Sequence, residues 1–483
     1  MNRNIQGIRF VDDEVEDKDQ IPSCQHGPGL LFERYVQSGS GETRRRVERF
    51  YACSACRDRS RCSLYVPFGS KKFTNRGHYT LPFTHKQYYQ RFSDSLCRAE
   101  SYYCQTCEEL IALKSNCDKH HEGHRIISGV SENMMRNPSE ALLTPLDNNK
   151  TNAQYLFTSE TVGFLVRTIV DRLKYKRVLC IGCPRIHEVL HHQYKSVSSL
   201  LLDMDHRFLQ FFPPTQFCRY NVFNGHFFDG EDSVATYQQF LAEKELVVLI
   251  DPPFGGRIDV LSSTVRKIEA DWRKQAQCDS EVLSLMLFCP YFMEPRILES
   301  LPAIKMLDFK VDYTNHATFH QTGNKNGSVV RVFTNISPRK IVIDLEGYRY
   351  CKKCKRSVYD ENQHCNTCKS CTSKDGGRYI HCKRCKRCVK EKFIHCNQCV
   401  QCKPIDHKCG SNTTRCFICG ENGHKVKDCP YQTTSKSNNE SIKRVKNFDE
   451  LKKRMKVTAS ADELESMECG RKLNNSAKRK KKR

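Results

Sequence analysis

The stretch Glu245-Leu246-Val247-Val248-Leu249-Ile250-Asp251-Pro252-Pro253-Phe254 constrains this chain more than any other. Its five consecutive apolar residues, three of them β-branched, read as a strand buried on both faces, the pattern of a parallel sheet. Two prolines then remove the N–H groups a ladder needs, so the strand ends at Asp251. A carboxylate, a rigid backbone carbonyl and an aromatic ring are left at the carboxyl end of a central strand. In open α/β sheets ligands bind at that end. A plain strand-ending Asp-Pro turn would account for the same residues, so the surrounding sequence has to decide.

That surrounding sequence is an α/β alternation running from about residue 150 to 340. Gln154-Tyr155-Leu156-Phe157 leads into a predicted amphipathic helix, Glu160 to Leu173, with Phe164, Leu165, Ile169 and Leu173 on its apolar face. A buried strand, Arg177 to Ile181, ends at Gly182 and is followed by Cys183-Pro184-Arg185 and a helix. Ser198 to Asp205 is a strand ending in acid, Tyr220 to Asn224 a strand before a loop, and Leu283–Cys289 and Ser328–Phe333 are further strands. The arrangement predicts a Rossmann-like α/β core. Gly-x-Gly-x-x-Gly is absent, which argues against a nicotinamide site.

A carboxylate beside a proline carbonyl suits methyl transfer to an exocyclic amine. The lone pair of an adenine N6 is delocalised into its ring, so the nitrogen is a poor nucleophile and needs positioning. Asp251 and the Pro252 carbonyl each accept one N–H, while Phe254 stacks on the base.

Charge and cysteine content point to the partners. The chain carries 79 basic against 55 acidic residues, a net +24, which favours a polyanion. Its 29 cysteines come without an 18-residue apolar run or a signal-peptide core, so an intracellular, reducing setting and metal ligands rather than disulfides are expected.

The spacings fit zinc. Residues 1–22 are acidic and read as disordered; residues 23–70 carry Cys24, His26, Cys53 and Cys62, with Cys56 as a spare thiol. Residues 97–126 hold Cys104-x2-Cys107, then His120 or His121, then His124, and the stretch between the ligands, with Glu108, Glu109 and Asp118, is not basic, which favours a packing role over nucleic-acid reading. Residues 125–150 read as a linker. Over 348–410 a short repeat supplies sixteen candidate ligands, enough for four ions: Cys351, Cys354, His364, Cys365, Cys368, Cys371, His381, Cys382, Cys385, Cys388, His395, Cys396, Cys399, Cys402, His407 and Cys409. Their pairing is open. Residues 414–431 contain Cys416-x2-Cys419-x4-His424-x4-Cys429, a zinc knuckle of the kind that binds unpaired bases. The polar, basic tail 432–483 ends Lys478-Arg479-Lys480-Lys481-Lys482-Arg483, a run suited to nuclear import or phosphate attraction.

Several resemblances sharpen this reading. Asp251-Pro252-Pro253-Phe254 resembles the [Asp/Asn]-Pro-Pro-[Tyr/Phe] motif of S-adenosylmethionine-dependent amino-methyltransferases. Arg49-Phe50-Tyr51-Ala52-Cys53 is similar to the core of GRF-type zinc fingers, with Glu48 where that family has Gly. The 348–410 repeats resemble the cysteine-rich domain of DHHC palmitoyltransferases, but Asp-His-His-Cys is missing and no membrane helix is present, which argues against acyl transfer. The order of all these modules is similar to that of ribosomal RNA adenine-N6 methyltransferases with a CCHC zinc finger.

What that resemblance implies is N6-methylation of an adenosine in large-subunit ribosomal RNA by a zinc-containing monomer. Its setting would be the nucleus and nucleolus, with some in the cytoplasm, beside RNA-processing or ribosome-assembly proteins. It also implies a cofactor site built from Gln154, Tyr155, Leu156, Phe157, Gly182, Arg185, Asp203, Asn221, Val222 and Asp251, with Asp203 on the ribose hydroxyls and Asn221 and Val222 near the adenine. Other RNA or DNA adenines, a protein glutamine amide, and a non-catalytic RNA scaffold are the competing readings.

Overall fold

The computed structural model describes residues 6–12, 21–37, 45–54, 62–70, 81–97, 100–111, 121–146, 154–315 and 328–409. Met1–Asn412 form one compact unit and Thr413–Arg483 a second. The knuckle ligands Cys416, Cys419, His424 and Cys429 and the basic tail lie outside the described residues, as do Cys56 and His120.

The centre is an eight-stranded sheet. Its strands are β1 (Arg177–Ile181), β2 (Ser198–Asp203), β3 (Phe217–Asn221), β4 (His226–Phe227), β5 (Leu246–Ile250), β6 (Ser284–Pro290), β7 (Lys305–Val311) and β8 (Val330–Thr334). They lie in the order β4-β3-β2-β1-β5-β6-β8-β7. The five from β3 to β6 run parallel, and β4, β7 and β8 add antiparallel edges. The order in which successive strands are added reverses between the parallel neighbours β1 and β5, so a crevice opens at the carboxyl ends of those two strands.

Alternation across the sheet fills two cores. Val178, Cys180, Val247 and Leu249 face one, and Leu179, Ile181, Leu246, Val248 and Ile250 face the other. Helices α1 (Ser159–Val166) and α2 (Pro184–Gln193) cover the first core; α3 (Glu231–Phe240) and α4 (Ile258–Ala276) cover the second. Both faces being buried explains why β5 reads as an unbroken apolar run rather than an alternation.

Three expectations change. The helix predicted over 160–173 begins at Ser159, capped by the Thr158 hydroxyl, and widens into a π-helical turn over Arg167–Arg172. Residues 6–10 are not disordered: Gln6–Phe10 form a strand antiparallel to Leu30–Gln37, and Asp12 accepts from Ser263 and Arg266 of α4. The linker reading of 125–150 gives way to two short helices, Glu132–Arg136 and Pro138–Ala141, because Val130, Met135, Leu142 and Leu143 join the first core.

Residues 348–409 are built differently. Four short hairpins follow one another, pairing Tyr348–Cys351 with Arg356–Tyr359, His364–Cys365 with Ser370–Cys371, Tyr379–Cys382 with Arg387–Lys390, and Phe393–Cys396 with Gln401–Pro404. The ligand pattern of Cys351–Cys371 recurs over Cys382–Cys402. Apart from cysteines, the buried cluster of this region contains only Val358. The first hairpin is tied to the sheet edge through Asp308 of β7, which is itself held in a buried ion pair with Arg331 of β8 at 3.2 Å. Asp308 also accepts from Tyr359 N at 3.0 Å and Asn362 Nδ2 at 2.6 Å. No helix among the described residues is long and apolar enough to cross a membrane.

Candidate active site and metal centres

Gly182 and Asp251 meet at the switch point. Gly182 has φ +67°, and a Cβ there would lie 2.6 Å from the Asp251 carbonyl oxygen, so only glycine fits. The Asp251 amide donates to Ile181 O at 3.0 Å and the Gly182 amide to Leu202 O at 3.0 Å, locking the ends of β1, β2 and β5 together. A cavity of about 280 Å³ opens over them. Gln154, Tyr155, Leu156, Gly182, Asp203, Val222, Asp251, Pro252 and Pro253 all line it.

Three aspartates line this space, and their surroundings shift them in opposite directions. Burial, reinforced by the neighbouring Asp205 charge, pushes Asp203 up to about 7. Burial also drives Asp251 well above the usual carboxylate range, with Asp203 adding to the effect and a hydrogen bond from Tyr313 opposing it. Asp205 goes the other way. Burial alone would raise it, but the Arg207 guanidinium overrides that and holds it below the usual range. Arg207 donates to Asp205 Oδ2 at 2.7 Å and to Gln154 Oε1 at 3.0 Å, and Gln154 Nε2 donates to Asp205 Oδ2 at 2.8 Å.

The fourth member of that network is Glu108, which pairs with Arg207 at 2.5 Å and lines the cavity. Glu108 comes from the second cysteine–histidine module, immediately after Cys107, with φ 58°. The same left-handed residue follows the second cysteine at Lys355, Lys369, Lys386 and Val400. In four such turns the second cysteine's amide donates to the first cysteine's sulfur, at 3.3 Å for Cys107 and 3.4 Å for Cys368, Cys385 and Cys399. A ligand turn therefore sets one wall of the cavity.

Three residues expected at the cofactor stand elsewhere. Arg185 donates to Glu140 Oε2 at 2.8 Å and Ser159 Oγ at 3.3 Å, which turns its guanidinium away from the cavity. Asn221 donates to His26 O at 2.8 Å and Ser54 Oγ at 3.1 Å, and so holds the first cysteine–histidine module against the strand end. Phe157 is buried between Tyr313 and Phe288. Phe254 does not line the cavity itself; its ring lies parallel to that of Tyr155, centroids 5.3 Å apart. Glu108, Asp205, Arg207 and Tyr313 carried no sequence motif, and only Asp205, an acid two residues beyond a strand end, left any signal.

The described residues gather six sets of four cysteine or histidine ligands. Cys24, His26, Cys53 and Cys62 form one, and Cys104, Cys107, His121 and His124 the next. In the repeat region the sets are Cys351/Cys354/His364/Cys371, Cys365/Cys368/His381/Cys388 and Cys382/Cys385/His395/Cys402. Cys396, Cys399, His407 and Cys409 close the series, with separations of 3.3 to 3.6 Å. Four N/S donors about 3.7 Å apart match the edges of a tetrahedron with 2.3 Å arms, the geometry of structural zinc. The sites interleave. His364 and Cys365 are adjacent on one strand, so they point to opposite faces and serve different sites.

The sheet, its switch-point cavity and the Asp-Pro-Pro-Phe turn define an amino-methyltransferase fold. In agreement, a family model described as probable N6-adenine methyltransferase matches residues 148–337, and a zinc knuckle model matches 415–430. The chain is 43% identical over 460 residues to the rRNA N(6)-adenosine-methyltransferase ZCCHC4 of Homo sapiens, covering 90% of this chain and 88% of that one. It is 41% identical to the Xenopus tropicalis protein of the same name, over 86% and 88% of the two chains, and 41% identical to the Bos taurus protein, over 96% and 91%. The chain belongs to this family of rRNA N(6)-adenosine-methyltransferases.

Proposed function

We propose that this protein transfers a methyl group from S-adenosylmethionine to N6 of an adenosine in large-subunit ribosomal RNA. The observation that carries the reading is the Asp251-Pro252-Pro253-Phe254 turn at the carboxyl end of β5, opening on the same cavity as Gly182 and Asp203. The cofactor supplies an electrophilic methyl on a sulfonium. When bound, it would be held by residues that line the cavity: the Gly182 turn would allow close backbone approach, Asp203 would accept from the ribose hydroxyls, and Gln154, Tyr155, Leu156 and Val222 would enclose it. Asp251 and the Pro252 carbonyl each accept one N–H of the target amine and aim its lone pair. Phe254 stacks on the base once the nucleotide has left its stack.

Zinc fills the six ligand sets and the knuckle as structural ions. The zinc modules and the +24 net charge supply affinity for the phosphate backbone, and the pocket supplies the choice of atom. The terminal Lys478–Arg483 run suits import into the nucleus and residence in the nucleolus, among ribosome-assembly factors.

The test is methyl transfer from labelled S-adenosylmethionine to fractionated RNA, with nucleoside mass spectrometry, comparing wild type and Asp251→Ala. The expected result is N6-methyladenosine in large ribosomal RNA, reduced by about a thousandfold in the variant. Cofactor binding without transfer to any RNA would overturn the substrate.

A further inference from the structure

Tyr313 follows β7 and is 1% exposed. Its backbone forms an antiparallel bridge with Phe157. Around it, Thr158 N donates to Asp312 O at 3.0 Å, Thr314 N donates to Leu156 O at 2.8 Å, and Asn315 Nδ2 donates to Gln154 O at 2.7 Å. The segment that lines the cofactor cavity is thereby stitched to the one carrying Tyr313. The Tyr313 ring packs on Phe157 at 5.0 Å and stands edge-on to Tyr155 and Phe254 at 5.8 and 5.9 Å. Its hydroxyl donates to Asp251 Oδ1 at 3.0 Å.

Packing on three rings fixes the donor, and the donor fixes the acceptor. Among the described residues Tyr313 is the one side chain that hydrogen-bonds to the Asp251 carboxylate. The backbone of Asp251 is already immobilised by Ile181 and Gly182, so the carboxylate torsion is the freedom left for a partner to remove. We propose that Tyr313 is a positioning residue for methyl transfer: it occupies one oxygen of Asp251, sets the carboxylate's orientation, and leaves the other oxygen to accept the substrate amine. This rests on the reading of Asp251 as the amine acceptor.

The hydroxyl has a second effect. The groups facing the Asp251 carboxyl are Tyr313, Asp203 from the end of β2, Cys183 from the turn after β1 and Cys289 from β6. Of these only the Tyr313 hydroxyl stabilises the ionised form. Removing it raises the carboxyl's pKa further, so the acid limb of the rate profile moves to higher pH.

Tyr313→Phe keeps the ring and deletes the donor. The expected result is a fall in kcat of about thirtyfold, a cofactor KM within about twofold of wild type, and an acid limb displaced upward by about one pH unit. Tyr313→3-fluorotyrosine makes the donor more acidic and moves the limb the opposite way. An unchanged kcat and acid limb in a Tyr313→Phe protein of normal melting temperature would overturn the proposal. If that variant does not fold, an unmoved limb in the fluorotyrosine protein does so instead. Asp251→Ala separates the two levels: full activity in that variant sinks the amine-acceptor reading itself, whereas an inactive Asp251→Ala beside a wild-type-like Tyr313→Phe sinks only the positioning role.

Discussion

The central sheet and the cysteine repeats of residues 348–409 are stabilised in opposite ways. The sheet buries apolar side chains on both faces, with Val178, Leu179, Val247 and Leu249 wholly inaccessible. Among the described residues the repeats bury no apolar side chain except Val358 and a few of the cysteines. Burial at roughly 25 cal/mol per Å² holds the first together without any ion. With zinc in its ligand sets, the second would depend on ions, each worth about 10–16 kcal/mol in a site of this kind. The lesson is one of division: the catalytic pocket sits on the part that needs no metal, while two of its supports, Glu108 and the His26 carbonyl bound by Asn221, come from parts that do.

Removal of metal breaks the comparison most sharply. A strong chelator is expected to make residues 348–409 protease-sensitive throughout while β1 to β6 stay protected. Limited proteolysis with mass mapping reads this directly, and simultaneous loss of the sheet would show that the two regions fold as one.

The next largest effect tests the seam. Asp308→Ala leaves Arg331 buried without its partner, with side-chain exposures of 1% and 3% in the intact pair. The expected cost is about 3–5 kcal/mol in denaturant unfolding, against little change in the sheet for Cys351→Ser, which empties one metal site.

The smallest effect is a pH dependence confined to the pocket. Asp203 is raised to about 7, and in the proposed cofactor site its ionised form would be the better acceptor for two ribose hydroxyls. Cofactor affinity should therefore fall as pH drops through 7, by several-fold between pH 8 and pH 6, in calorimetric titration. The sign is set by the raised value: the protonated form dominates below 7 and offers one acceptor fewer. Metal content of the repeats, assayed over the same window, should stay constant.

How much of this was legible in the sequence differs by region. In the sheet, apolar runs and the glycine, acid and Asp-Pro-Pro stops marked the strand ends, because a parallel strand buried on both faces leaves a run no other element leaves. The side-chain directions beyond those ends were not legible. Asn221 and Arg185 have the chemistry of cofactor contacts, yet His26, Ser54, Glu140 and Ser159, distant in sequence, claimed their hydrogen bonds. The linker reading failed for a related reason: Met135 and Leu142 are too sparse to show a period, but the core nearby had room for them.

The sequence by itself determined the chemistry available: a carboxylate and proline carbonyl at a strand end, and the ligand residues in repeated spacing. Short-range geometry is enough for that, since two prolines stop any strand and a Cys-x2-Cys turn places two sulfurs together. Tertiary structure alone decided which groups share a site. His364 and Cys365 part to opposite faces of a hairpin, Glu108 reaches Arg207 across about a hundred residues of chain, and the Tyr313 hydroxyl arrives at Asp251 from the far edge of the sheet. Such pairings depend on how packed elements converge in space, and no local pattern of residues encodes that.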